Sequence, residues 1–219
     1  MPRAEFDRDL QMVQDDLLMM GSMVEKAIGR SLDALKNRDL EMAREVVRED
    51  DIIDDKQYEI EERCIDLIAT QQPMAVDLRV LVTVMRLASE LERMGDYAEG
   101  IAKICLMMGD EPPLKPLIDI PRMSDMASDM LRRSLDAFVN RDVVSSMVVQ
   151  RDDDDIDALY EQVYRELLTF MLGDPAVIRR ATYLLWTAHN IERIADRTTN
   201  IAENVIYMVT GQRNSEVTA

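Results

Sequence analysis

Four pairs of acidic residues stand four positions apart in this chain: Asp50 with Asp54, Glu92 with Asp96, Asp153 with Asp157, and Glu192 with Asp196. On a helix, residues at that spacing share a face, their Cβ atoms about 5 to 6 Å apart, and two like charges there cost a few tenths of a kcal/mol. A hard cation offsets the cost. Two carboxylates one turn apart reach a shared ion, and a second pair on a facing helix completes an oxygen shell. These eight acids are therefore the candidate metal ligands. The competing reading is a solvated face. Asp and Glu make up 43 of the 219 residues, and a run such as Asp152 to Asp155 is usually surface. Arg48, Arg93, Arg151 and Arg193 stand near the pairs in sequence and could neutralise them as weak surface ion pairs.

Repetition favours the metal reading. The stretch RSLDALKNRD, Arg30 to Asp39, returns 103 positions later as RSLDAFVNRD, Arg133 to Asp142, with eight of ten residues kept. At that offset Arg48, Asp50, Asp51, Ile53 and Asp54 fall on Arg151, Asp153, Asp154, Ile156 and Asp157. Further along the offset shortens to 100, and ELERMGDYAEGIAK (Glu90 to Lys103) aligns with NIERIADRTTNIAE (Asn190 to Glu203). Each copy thus keeps both acid pairs in register.

Helices must position them. Apolar residues recur at three- and four-residue spacing through Leu10, Val13, Leu17, Met20, Val24, Ile28 and Leu32, which predicts a first helix from about Phe6 to Lys36. Asp39 caps a second helix that passes Val46, Ile53, Ile60 and Ile68; Pro73 interrupts it. A third runs from Ala75 to about Met107, roughly 50 Å at 1.5 Å per residue. The second copy repeats the plan. Helices are predicted from Arg122 to Val139, from the Asp142 cap to Leu172, and from beyond the Gly173-Asp174-Pro175 break to Thr210. The expected organisation is a first repeat over 1–108, a Pro-rich linker GDEPPLKP at 109–116, a second repeat over 117–210 and a polar tail over 211–219. Short connections make neighbours antiparallel, so the fold class is all-α, two tandem three-helix bundles from an internal duplication.

A net charge of -17 and a pI near 4.4 exclude a general nucleic-acid binder, which needs a cationic surface, and suit cations or basic partners instead. The start, MPRAEFDRDLQMVQDD, lacks the apolar core of a signal peptide, and no stretch is apolar enough to span a membrane. A cytoplasmic location is expected. Cys64 and Cys105 lie in helical apolar patterns without counterparts in the other copy, so they read as buried free thiols. His189, three residues before Glu192, has Ser89 at its counterpart and reads as a satisfied helical histidine rather than a ligand. Met12, Met19, Met20, Met23, Met85 and Met94 are assigned to packing or to an adaptable partner surface. Trp186 is assigned to packing. No nucleophile paired with a base and no Gly-rich phosphate cradle is present, which points to an adaptor rather than an enzyme.

Taken together these residues resemble the PhoU family, regulators of bacterial phosphate uptake. The resemblance rests on Gln72-Pro73 followed by Asp77-Leu78-Arg79, Leu91-Glu92-Arg93-Met94-Gly95-Asp96, Ile191-Glu192-Arg193-Ile194-Ala195-Asp196, Asn200-Ile201-Ala202-Glu203, and the duplicated three-helix plan. Ala195 departs from the family, which more often has Gly beside that Asp. The resemblance implies a cytoplasmic, often dimeric protein whose acidic motifs bind divalent or ferric ions (iron, zinc, magnesium or manganese). It also implies partners: the ATPase subunit of a phosphate ABC transporter and a membrane sensor histidine kinase, whose regulon stays repressed in high phosphate. The methionine-rich helix faces offer a dimer an apolar seam. Contact with the membrane would run only through partners. Two rivals remain: a carboxylate-bridged di-iron enzyme, which wants Glu-x-x-His twice where this chain has one His, and a metal-free structural bundle.

Overall fold

The computed structural model describes residues 3–212, and the six long helices in it are α1 (Arg3–Asn37), α2 (Leu40–Gln71), α3 (Ala75–Met108), α4 (Asp119–Asn140), α5 (Val143–Gly173) and α6 (Ile178–Thr210). A 3-10 turn, Pro175–Val177, precedes α6. No strand occurs among the described residues. Of the tail expected at 211–219, residues 213–219 lie outside the described residues.

The duplicated ten-residue stretch does three jobs in each copy. Its Arg ties the first helix to the second: Arg30 pairs with Glu45 at 2.5 Å and with Glu49, and Arg133 pairs with Asp152 at 2.6 Å. Its Ser is fully buried and donates to a carbonyl of the preceding turn, Ser31 to Ile28 at 2.9 Å and Ser134 to Leu131 at 2.8 Å. Its closing Arg-Asp makes the corner. Arg38 and Arg141 take left-handed φ values of 57° and 53°, and the next amides, of Asp39 and Asp142, donate to the carbonyls of Ala34 and Ala137 at 2.9 Å. That is the closure of a Schellman C-cap. The same aspartates then cap the following helix. Asp39 accepts from the amides of Glu41 and Met42 at 3.1 and 2.9 Å, and Asp142 accepts from that of Ser145 at 3.1 Å. Such caps contribute about 1 kcal/mol each.

Burial separates outer helices from central ones. α2 buries a narrow stripe, with Val46, Ile53 and Ile60 seven residues apart, and α5 repeats it with Val149, Ile156 and Val163. A few neighbours widen the stripe, Ala43 and Cys64 on α2 and Ser146, Leu159 and Leu167 on α5. α3 and α6 bury far more of their circumference because each packs on both helices of its own repeat and on the other. They run antiparallel: the Asn190 side chain lies 3.1 Å from where a Cβ on Gly100 would stand, Asn200 Nδ2 donates to Glu90 Oε2 at 3.0 Å, and Arg79 Nε donates to the Met208 carbonyl at 3.3 Å. α1 and α4 also touch, where Leu135 packs against Gly21 so closely that a Cβ there would stand 2.4 Å from Leu135 Cδ1. One hydrophobic core therefore runs through both bundles.

Several expectations need adjustment. α4 starts at Asp119, a turn before the predicted Arg122, in a segment where Lys115 pairs with Glu166 and stands 3.7 Å from Asp119. α1 begins at Arg3 rather than Phe6. Trp186 is no packing anchor: it is 48% exposed, tilted against Tyr183 at 5.9 Å between ring centres. The methionines divide. Met20 and Met94 are fully buried, Met23 and Met85 are half-buried against the core, and Met12 and Met19 are exposed. Cys64 and Cys105 are free and buried as expected, and burial pushes the Cys64 thiol up to about 12.

Candidate functional site

Each acid pair lies mid-helix where an outer helix crosses its central neighbour. In the first repeat Asp50 and Asp54 lie on α2, Glu92 and Asp96 on α3. Asp50 and Asp96 come together with Glu99, one carboxylate oxygen from each lying within 4.8 Å of the other two. Asp54 and Glu92 stand outside that trio but close enough to raise the proton affinity of its members or of each other. Glu99 escaped the reading from sequence. Its counterpart is Thr199, so a search for acids kept in both copies passes over it, although it stands one turn beyond Asp96 on the same helix.

Gly95 shapes this approach. A Cβ there would stand 3.2 Å from Asp50 Oδ1 and 3.3 Å from Ile53, so the missing side chain gives the Asp50 carboxylate room against α3. Burial first, and then the charges of Glu99, Asp54 and Asp96, push the Asp50 carboxyl up to about 7. Burial is likewise the largest cause of the raised values of Asp54, Glu92 and Asp96. The structure supplies two counter-charges: Lys103 pairs with Glu99 and lowers the proton affinity of Asp50 and Asp96, and Arg93 lowers that of Glu92 and Asp96.

The second repeat places Asp153 and Asp157 on α5 opposite Glu192 and Asp196 on α6. Burial, then Asp157, Asp196 and Glu192, push the Asp153 carboxyl up to about 6. Burial also leads the upward shifts of Asp157 and Glu192. Position 203 is Glu where the first repeat has Lys103, so that exposed cation has no counterpart there. Arg193 does what the solvated reading expects, donating to Asp196 Oδ2 at 3.1 Å, and it also hydrogen-bonds Tyr97 across the α3–α6 seam. Arg48, by contrast, pairs with Glu41 at 3.5 Å. His189 is 53% exposed. Its Nδ1 stands 3.3 Å from Glu192 Oε2 without a hydrogen bond, and its ring lies 6.0 Å from that of Tyr160.

Three carboxylate oxygens decide how well these sites fit a metal. Asp54 Oδ1, Asp153 Oδ1 and Glu192 Oε2 are buried and lack hydrogen-bond partners. A buried acceptor without a partner costs about 1 to 3 kcal/mol, more when charged. A cation removes that cost. The donors are all carboxylate oxygens, the chemistry of magnesium, manganese or calcium rather than of a thiolate or imidazole site. The residues present therefore fit a hard metal ion.

The fold and the sites together define a class: a duplicated three-helix repeat protein with half-buried and exposed acids facing one another between an outer and a central helix in each repeat. The PhoU domain model matches residues 17–105 and 120–205, the two repeats. The chain belongs to the PhoU family. It is 41% identical to a phosphate-specific transport system accessory protein PhoU homolog of Clostridium acetobutylicum, over 97% of this chain and 98% of the relative. The homolog of Aquifex aeolicus is 40% identical over 94% and 93%. Among solved structures, PhoU from Pseudomonas aeruginosa superposes with a TM-score of 0.90 at 33% identity, covering 94% of this chain and 100% of that one. The phosphate transport system regulatory protein PhoU from Streptococcus pneumoniae gives 0.88 at 30%, covering 95% and 98%.

Proposed function

We propose that this chain is a metal-binding accessory protein of a phosphate transport system, an adaptor between the transporter's ATPase subunit and a sensor histidine kinase that keeps phosphate-starvation genes silent in high phosphate. The observation that carries the reading is likeness over nearly the whole chain to proteins named as accessory to phosphate-specific transport. Those names also favour a regulatory role over a catalytic one. Among the described residues no helix is long and apolar enough to cross a membrane, which suits a protein that reaches the membrane through its partners in the cytoplasm.

In this reading Asp50, Asp96 and Glu99, supported by Asp54 and Glu92, hold metal in the first repeat. Asp153, Asp157, Glu192 and Asp196 hold it in the second. The ion supplies positive charge that lets the clustered acids stay ionised in the folded state, coupling occupancy to the packing of α2 on α3 and α5 on α6. Magnesium, manganese and ferric iron suit such all-oxygen sites better than zinc does.

Deleting the gene should leave phosphate-starvation genes expressed in phosphate-rich medium, measured with a reporter fusion. Repression that persists unchanged refutes the adaptor role. A homodimer belongs to the same reading, and light scattering at micromolar concentration should return twice the 25.2 kDa of one chain. A monomer mass rejects it.

A further inference from the structure

The two acid sites extend the same motif in opposite directions. In the first repeat the pair Glu92 and Asp96 is continued forwards on α3 by Glu99, whose carboxylate joins those of Asp50 and Asp96. The counterpart of Glu99 in the second repeat is Thr199, and its hydroxyl donates back to the Asp196 carbonyl at 2.8 Å, within its own helix. That copy has one carboxylate fewer. It continues the α6 pair backwards instead, with His189 three residues before Glu192, where the first repeat has Ser89. Residues three apart on a helix are neighbours, so the imidazole stands on the face that carries Glu192.

The geometry of that approach is not the satisfied hydrogen bond expected of a helical histidine. His189 Nδ1 and Glu192 Oε2 stand 3.3 Å apart without bonding, and the oxygen is buried with no partner. Two atoms that share an ion at about 2.1 Å stand about 3.0 Å apart across a right angle and about 3.4 Å apart across a tetrahedral one. The observed separation falls in that interval. The imidazole also meets Tyr160 of α5, three residues beyond Asp157, with ring centres 6.0 Å apart and planes tilted by 43°. That contact keeps it over the crossing of α5 and α6. The first repeat has Gln57 in place of Tyr160, its amide occupied with Glu61 at 2.9 Å. Further acids lie close by: burial first, and then the charges of Asp196 and Asp157, raise the proton affinity of Glu192.

Ligand chemistry then divides the two sites. Carboxylate oxygens suit magnesium, calcium and manganese, whereas an imidazole nitrogen suits zinc, iron, nickel and copper. We propose that His189 is a ligand of the second repeat's metal site and gives that site a preference for a divalent transition metal, zinc or ferrous iron, which the all-oxygen site of the first repeat does not share. The proposal rests on the reading of the paired acids as metal sites. One duplicated chain would thus carry two sites of different selectivity.

The test exploits the single histidine of the chain. Protein labelled with 15N-histidine gives the resonances of one imidazole, followed while zinc or magnesium is added to the Asp50→Ala/Asp96→Ala variant, which lacks the first site. Equimolar zinc should shift Nδ1 far more than Nε2, and magnesium should shift neither. Adding Glu192→Gln should abolish the zinc shift. His189→Ser, the residue of the first repeat, should weaken zinc binding, measured against a chromophoric chelator, by at least the roughly tenfold that loss of an outer-shell partner costs. It should leave magnesium binding unchanged. Equal zinc affinity with and without His189 overturns the proposal, as does a zinc shift that survives Glu192→Gln, the mark of an isolated surface imidazole. Where Asp50→Ala/Asp96→Ala melts early, the intact chain serves, because only one of its sites contains a histidine to report.

The two readings part in the same samples. If zinc leaves Nδ1 in place while manganese still raises the melting temperature through the acids, His189 fails and the metal reading stands. If neither metal binds, both fall.

Discussion

In excess manganese the double variant Asp50→Ala/Asp96→Ala is expected to melt below the wild type, and in chelator at or above it. Without metal, the wild type confines several acids around Asp50, whose own carboxyl is pushed up to about 7 by burial and by Glu99, Asp54 and Asp96. Alanine relieves that repulsion and is the better helix former. With metal the balance reverses, because an ion bound only by the folded state adds about 2.7 kcal/mol when free metal is a hundred times its dissociation constant. For a chain of this size that is a difference of roughly 5 to 11 °C in melting temperature. Glu99→Gln should show the same dependence on metal, and Glu192→Ala/Asp196→Ala should repeat it in the second repeat. Melting curves whose order is the same in manganese and in chelator would return these acids to the solvated surface.

The second large effect concerns pH, and its sign is opposite to that of most salt-bridged carboxylates. In chelator the wild type is expected to become more stable as pH falls from 8 towards 5. Asp50 at about 7 and Asp153 at about 6 bind protons in the folded state where an ordinary carboxylate, at 3.8, has lost them. The folded protein thus holds more protons than the unfolded chain between about 4 and 7, so stability declines as pH rises through that window. Asp54, Glu92, Asp96, Asp157 and Glu192, all shifted upwards, act in the same direction. Asp142, held down by its bonds to Ser145, acts the other way. Asp50→Asn and Asp153→Asn should each flatten the profile and raise stability at pH 8. Saturating manganese should invert the slope, since metal and protons compete for the same oxygens. Urea melts showing the wild-type slope unchanged in Asp50→Asn would refute the assignment.

Much of the fold was legible because the duplication carries its own alignment. The Arg-Asp corner at residues 38–39 and 141–142 announces where one helix ends and the next begins, since both a C-cap and an N-cap reside in that dipeptide. The line Val46, Ile53, Ile60 placed the second helix, but which helices lie outside came only with the structure. The sharing of one core was harder to see. α3 and α6 are buried on several sides, and a broadly apolar helix does not say which neighbour covers which face. The start of α4 depends on Lys115 reaching Glu166, some fifty residues away, which no local pattern encodes.

The site divides in the same way. Acid pairs present in both copies are visible from spacing. Glu99 and Lys103 exist in one copy only, and their place beside Asp50 comes from helix packing. Trp186 was misjudged because a large aromatic is usually buried, and here it stands half exposed with its ring tilted against Tyr183.

The antiparallel seam between α3 and α6 has a consequence for how the chain is made. The α3 side chains that meet α6 leave the ribosome with the first repeat, but their partners, around Asn190, Arg197 and Asn200, follow roughly a hundred residues later. At bacterial elongation speeds of about 5 to 20 residues per second, that is a wait of roughly 5 to 20 seconds. During it the nascent first repeat can complete α1, α2 and α3 yet must carry an uncovered strip of α3 that includes Gly100. Synthesis thus passes through a half-length protein with an open apolar face, and polysomes crowd such halves together. The acidic composition, net charge -17 over the whole chain, opposes such premature pairing.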